Sequence, residues 1–307
     1  MAATMLSLVQ QASVEMGLSS PATVAGNTTQ DVVQTLGLMN AVGNELQRQH
    51  QWQAITASNV FTTPFYSYTG DLTSGSTTIS NLSSTTGLTT NPTYFQVVGS
   101  GVNNATDLVS VNSGASTAVM SQAATATGTG VTLTFSQVRY AMPSDFDRLI
   151  DRTDWDKSQH WEMLGPETAQ QWQWLRSGYI STGPRVRYRV LGNLFQIWPA
   201  LGVTHTLGFE YVSSFWVYAA SATSTSKSSF TVDTDTCIFP DRLMVLGTKL
   251  KYFEIKGFDT QSLYRDYLMQ LDLAKAYDAG SPTLSMAPRP SNILIGFENI
   301  PDSSYGT

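Results

Sequence analysis

The sequence predicts an α+β protein: a helical bundle formed by N- and C-terminal helix pairs, with an inserted Ig-like β-sandwich module and a mixed β region. Three observations carry that expectation. Apolar residues recur at helical spacing at both ends of the 307-residue chain. Residues 72–138 hold a single charge, Asp107, within a run of Ser, Thr, Gly and Asn. Short β-branched stretches separated by turn residues fill the middle.

The first expected helix covers residues 4–16. Leu6, Val9, Ala12 and Met16 share a face, and Gly17 followed by Pro21 supplies a stop. Thr28 or Thr29 caps a second helix, Asp31 suits the positive end of its dipole, and Val32, Leu36, Met39 and Leu46 mark one face. Gly37 and Gly43 weaken this helix in isolation, so it needs tertiary packing or the close approach of a neighbour. These two make an N-terminal pair over 1–57.

At about residue 58 the period changes. "TYFQVVG", "DLVSVNS" and "GVTLTFSQV" are strand-like, and their spacing fits a sandwich or small barrel. The expectation carried forward is an Ig-like sandwich over 58–137, with hydroxyls in place of charges on its outer face. A mixed β region over 138–236 follows. There "GPETAQQWQWLRSG" reads as a short helix with Pro166 near its first position and Gly178 as its stop. "PRVRYRVLGNLFQIWPA" and "THTLGFEYVSSFWVY" read as strands, and "ASATSTSKSSF" as a polar loop.

Residues 237–280 carry the strongest helical pattern. Leu243, Leu246, Leu250 and Phe253 form one stripe that ends at Gly257. Leu263, Tyr267, Leu271 and Ala274 form a second, between Asp259 and Gly280, and the short connection predicts an antiparallel hairpin. Each terminal helix pair has an apolar face too small to stand alone, so the two are expected to pack together. Residues 281–307 hold four prolines and no helical period. They read as an extended arm whose Ile293, Leu294, Ile295 and Phe297 can add to a sheet edge.

The net charge of −6 and pI near 5.0 argue against indiscriminate nucleic-acid binding. Arg48 is the only Lys or Arg before Arg139, an asymmetry expected of unlike modules. Cys237 is alone, which excludes a disulfide framework within the chain and a cysteine-based metal site. The N-terminus lacks a basic n-region, so no signal peptide is expected, and no segment has the apolar length of a membrane span.

Chemistry is sparse. His50, His160 and His205 lie far apart in sequence, and no zinc-protease, phosphate-loop, dinucleotide or nucleophile-elbow motif is present. "GTG" at 128–130 reads as a turn. Asp145, Asp147, Asp151, Asp154 and Asp156 could supply a hydrolase with two carboxylates. The interleaved Arg148, Arg152 and Lys157 better fit an ion-pair network. Arg185, Arg187 and Arg189 alternate, so on a strand they share a face and require anions. The anions are this chain's own acids, acids of a neighbouring subunit, or phosphates of DNA. Trp155, Trp161, Trp172, Trp174, Trp198 and Trp216 read as core and interface anchors ahead of a carbohydrate platform. The expectation is therefore an assembly component with no enzymatic activity, no cofactor and no bound metal.

Several segments resemble one family. "LSLVQQASVEMGL…NTTQDVVQTLGLMNAVGNELQRQHQWQ" resembles the N-terminal helix pair of the head-to-tail adaptors of short-tailed bacteriophages, also called connector or tail tubular protein A. "FPDRLMVLGTKLKYFEIKGFDTQSLYRDYLMQLDLAKAYD" resembles that family's C-terminal hairpin, and the Thr-rich segment is similar to Ig-like modules of virion proteins. The resemblance implies a homo-oligomeric ring, usually of twelve subunits, in the neck of the virion, made in the host bacterial cytoplasm. It implies docking beneath a portal protein, a role in DNA ejection through a shared conduit with transient contact to genomic DNA, and a platform for a downstream tail or nozzle protein. It places the portal-docking role on the 281–307 arm, and no membrane partner is expected. The competing expectations are an adhesin or decoration protein whose Ig-like module binds glycan, and a tail hydrolase using the 145–156 carboxylates.

Overall fold

The computed structural model describes residues 3–178, 185–220 and 222–278. Five helices lie among them: α1 (Met5–Glu15), α2 (Gln30–Gln49), α3 (Ala169–Arg176), α4 (Asp241–Lys256) and α5 (Gln261–Asp278). The longer strands are β1 (Thr56–Thr62), β2 (Phe65–Leu72), β4 (Phe95–Gly99), β5 (Thr106–Asn112), β6 (Thr117–Met120) and β7 (Gly128–Gln137), with β3 (Thr78–Ile79) between β2 and β4. Then come β8 (Arg139–Ala141), β9 (Phe146–Leu149), β10 (Trp155–Asp156), β11 (Trp161–Glu162), β12 (Arg187–Leu191), β13 (Leu194–Trp198), β14 (Thr206–Ser213), β15 (Val217–Tyr218) and β16 (Thr236–Cys237).

The chain divides into two compact units. The first comprises Met1–Ala57, Asp145–Leu149 and Tyr211–Thr307. Here α4 packs on α1, α2 and α5. Leu8, Val9, Met39, Val42, Leu46, Leu243, Met244 and Leu246 are buried between them. The fully buried Trp216 anchors the same unit. Its indole Nε1 donates to Asn44 Oδ1 at 2.9 Å, and its ring meets Phe230 edge-on and Phe239 at a tilt. Gly43 of α2 lies directly against this ring, so a Cβ there would overlap the indole. Gly43→Ala is therefore expected to lower stability by about 1–3 kcal/mol, although alanine favours helix. Thermal unfolding of the variant checks this. At Gly37 a Cβ meets open space, so Gly37→Ala should stabilise by up to about 1 kcal/mol in the same assay.

The second unit comprises Ser58–Ser144 and Ile150–Glu210. Six strands pair in the order β2-β7-β4-β5-β6-β3. The two end strands meet through an antiparallel bridge between Asp71 and Ser80, with amide-to-carbonyl bonds of 2.8 and 3.0 Å. The sheet thus nearly closes into a barrel around Leu72, Ile79, Phe95, Val97, Leu108, Met120, Leu133 and Phe135. A second sheet has the order β12-β13-β8. The turn joining β12 to β13 is Gly192–Asn193, both at positive φ, as a two-residue hairpin demands. The first half of β14 pairs with β10, which pairs with β11, and β1 flanks β14 on its other side. The remaining half of β14 lies in the first unit and pairs with β9.

The expected fold class is overturned. The chain is predominantly β, with sixteen strands in four sheets and five helices among the described residues. It is not a helical bundle carrying an Ig-like insertion. Residues 65–137 contribute one nearly closed sheet in place of two facing ones, and 58–62 belong to β1 in another sheet. The physical reason is that period-2 alternation fixes which side chains point inward. It does not fix whether a sheet meets a partner sheet or its own far edge. The helices at the two ends do pack on one another, but they share their core with Trp216, Phe230, Phe239 and short strands, so they form no separate bundle. One local expectation also shifts. Helix α3 starts at Ala169 behind a Thr168–Gln171 capping box, which leaves Pro166 outside the helix.

Asp107, the single charge of the 72–138 run, is held by two arginines of the same unit. Its Oδ2 accepts from Arg139 Nη2 at 2.7 Å and from Arg176 Nη2 at 2.8 Å. Asp107→Asn should weaken both bonds and cost about 2 kcal/mol, because charge-assisted bonds contribute about 1.5–3 kcal/mol each. A lowered midpoint in urea unfolding measures that loss.

Candidate assembly surface

Helix α4 is largely enclosed: eight residues, from Leu243 to Tyr252, are buried. It ends at Gly257 in the left-handed conformation (φ 75°), where the Gly257 and Phe258 amides satisfy the last carbonyls. Helix α5 then folds back and buries only Tyr267, Leu271 and Ala274 along a single stripe. Apart from the half-buried Leu263, its other large apolar side chains face water. Met269, Leu273 and Tyr277, spaced four apart, form a ladder on one flank of the stripe, with Tyr277 87% exposed. Tyr264 and Leu268, also four apart, occupy the opposite flank. Ile255 and Phe258 extend the exposed apolar surface around the hairpin turn. Single exposed apolar residues are ordinary. A group of seven on one hairpin is the kind of surface that a partner covers. The stripe of Leu263, Tyr267, Leu271 and Ala274 drew the sequence reading to the inner face, and the outer ladder was missed. The signal was present: "SLYRDYLMQLDLAKAY" has more apolar positions than one stripe can use.

Strand β12 shows the expected alternation. Within it Tyr188 is buried while Arg187, Arg189 and Val190 are half-buried; Arg185, half-buried, and Val186, buried, precede the strand. Arg187 Nη1 pairs with Glu167 Oε1 at 2.6 Å. Among the described residues neither Arg185 nor Arg189 has an acidic partner. Ile293, Leu294, Ile295 and Phe297 lie outside the described residues.

The aspartates of 145–156 are distributed over separate structural roles. In the first unit, Asp145 accepts from Tyr211 Oη at 3.0 Å and Ser213 Oγ at 2.7 Å, and Asp147 pairs with Arg148 at 3.0 Å. In the second, Asp156 Oδ2 meets His205 Nδ1 at 2.5 Å while its Oδ1 accepts from the Ser158 and Gln159 amides. Asp154 differs from these. It is 1% exposed, and its Oδ2 accepts from the Tyr188 hydroxyl at 2.6 Å. Its Oδ1 is buried without a partner. Asp154 lines an open cleft of about 360 Å³ together with Asp151, Arg152, Glu162 and Tyr188. Burial pushes its carboxyl up to about 6, the Tyr188 bond opposes that rise, and Asp151 and Glu162 add to it.

Among the described residues no three His, Cys, Asp or Glu side chains gather as a metal ion would require. Trp172 and Trp198 are buried with Leu175 and Ala105, Trp216 is buried in the first unit, and Trp174 on α3 is exposed.

A β-rich chain whose α4–α5 hairpin exposes seven large apolar side chains presents a surface of the kind that a partner covers. Residues 100–290, more than half of the chain, match the SU10 adaptor protein family, and the chain belongs to that family. It is a bacteriophage adaptor protein, a structural component of the virion that associates with other virion components. Comparison with curated proteins gives no match.

Proposed function

We propose that the protein forms a ring, of twelve subunits, that docks beneath the portal in the neck of a short-tailed phage. In this reading the ring continues the DNA conduit and presents a platform to the next tail component. The observation that carries it is the exposed apolar surface of the α4–α5 hairpin on an adaptor-family chain. Each large side chain covered there would contribute about 1.5–3 kcal/mol to a subunit contact. The acidic balance of the chain supports the conduit role, because a net charge of −6 gives passing DNA no general reason to adhere. The 281–307 arm, with Ile293, Leu294, Ile295 and Phe297, is assigned to gripping the portal.

The test is electron microscopy of the protein mixed with the portal protein of the same genome. A ring of density stacked on the portal is the expected image. Bare portals at high protein excess would overturn the reading.

A further inference from the structure

The acidic cleft beside Asp154 has the chemistry of a receptor for an organic cation. It brings three carboxyls, Asp151, Asp154 and Glu162, against one guanidinium, Arg152. Arg152 Nε lies 3.5 Å from Glu162 Oε1, and among the described residues the other two carboxyls have no cation paired with them. Asp154 carries the second, independent sign of a ligand: a buried carboxylate oxygen with no donor on it. A lone buried acceptor of this kind carries a desolvation cost that only a donor removes. The cleft, of about 360 Å³, is large enough to admit a side-chain head group. The described residues gather no metal-type ligand set, so a side-chain cation is the fitting occupant.

The same strand supplies the complementary group. The Tyr188 hydroxyl holds Asp154 from one face of β12, and Arg189, one position on, leaves from the other. Arg189 has no acid among the described residues of its own chain, and neither has Arg185, which precedes the strand. A guanidinium fork matches a carboxylate edge in a way that an ammonium does not. One strand therefore carries an anionic receptor behind one face and unpaired arginine on the other. Among the described residues of one copy these groups have no counterparts, whereas successive copies can supply them to one another. We infer that Arg189 of one subunit enters the Asp154 cleft of the next. This is a heterologous contact, the type that closes into a ring when its rotation divides the circle. The inference rests on the ring reading and specifies one contact in it.

The test is a charge exchange on full-length protein assembled on its portal, with bound subunits counted by native mass spectrometry. Asp151 is exposed and Arg189 half-buried, so Asp151→Arg and Arg189→Asp should both fold, which near-ultraviolet circular dichroism verifies. Each single variant is expected to lower ring occupancy at least tenfold at a fixed concentration. The double variant, with the charges exchanged, is expected to recover most of it. Single variants that assemble like the wild type, or a folded double variant that stays unassembled, would overturn this contact and leave the ring reading standing. A wild-type chain that forms no ring would overturn both.

Discussion

Leu273→Glu is expected to leave the monomer folded and to abolish its assembly. In the isolated chain Leu273 is 46% exposed, on the outer flank of α5 between Met269 and Tyr277. Glutamate and leucine have similar helix propensity, and a surface substitution away from special features shifts stability by about 0.5 kcal/mol or less. In an assembly that covers this flank, the same change removes an apolar contribution of about 1.5–3 kcal/mol and buries a charge in its place. A loss of about 3 kcal/mol per contact is more than a hundredfold in affinity. Leu271→Glu is the control. Leu271 lies two residues away but is buried inside the hairpin, so that variant should fail to fold. Thermal unfolding and sedimentation velocity separate the two effects. A Leu273→Glu chain that assembles normally would show that the α5 flank is not a subunit contact.

The helices were legible because a stripe sustained over sixteen to twenty residues is a loud signal, and the structure places α2, α4 and α5 where Leu46, Leu250 and Tyr267 call for them. The left-handed stop at Gly257 and the alternation of Arg187, Tyr188 and Arg189 were equally readable, since each depends only on local geometry. The class was misread because strands of two residues, such as β10, β11, β15 and β16, show no period at all. Closure of the six-stranded sheet rests on one bridge, Asp71 to Ser80, between polar residues that carry no pattern. The candidate surface divides along the same line. The arginine face of β12 could be found by spacing, whereas the Asp154 cleft could not. What sets Asp154 apart from Asp145, Asp147 and Asp156 is which donors the fold delivers to it, and those come from as far away as Tyr188.

That difference has a measurable consequence in the single chain. The Asp154 carboxyl ordinarily titrates at 3.8, and burial, tempered by the Tyr188 bond and reinforced by Asp151 and Glu162, pushes it up to about 6 in the folded protein. The folded state therefore binds this proton more tightly than the unfolded chain does. Stability contributed by the site is complete below about pH 4, falls as pH rises through about 6, and stays lost above it. A rise of about two pH units corresponds to at most roughly 3 kcal/mol. Asp154→Asn removes the titration but keeps an oxygen that can accept from the Tyr188 hydroxyl. The variant should match the wild type near pH 4 and exceed it by up to about 3 kcal/mol at pH 7–8, in urea unfolding across that range. A stability difference that does not change with pH would show that Asp154 titrates normally and that its buried oxygen is not under strain. The predicted gain also bears on why an aspartate occupies this position. Asparagine is expected to favour the isolated subunit at neutral pH, and the proposed contact gives the carboxylate a use, because a cation of the next subunit would meet it. On the proposed contact, Asp154→Asn should therefore produce a more stable monomer and a weaker ring, an opposition expected of a binding residue and not of a structural one.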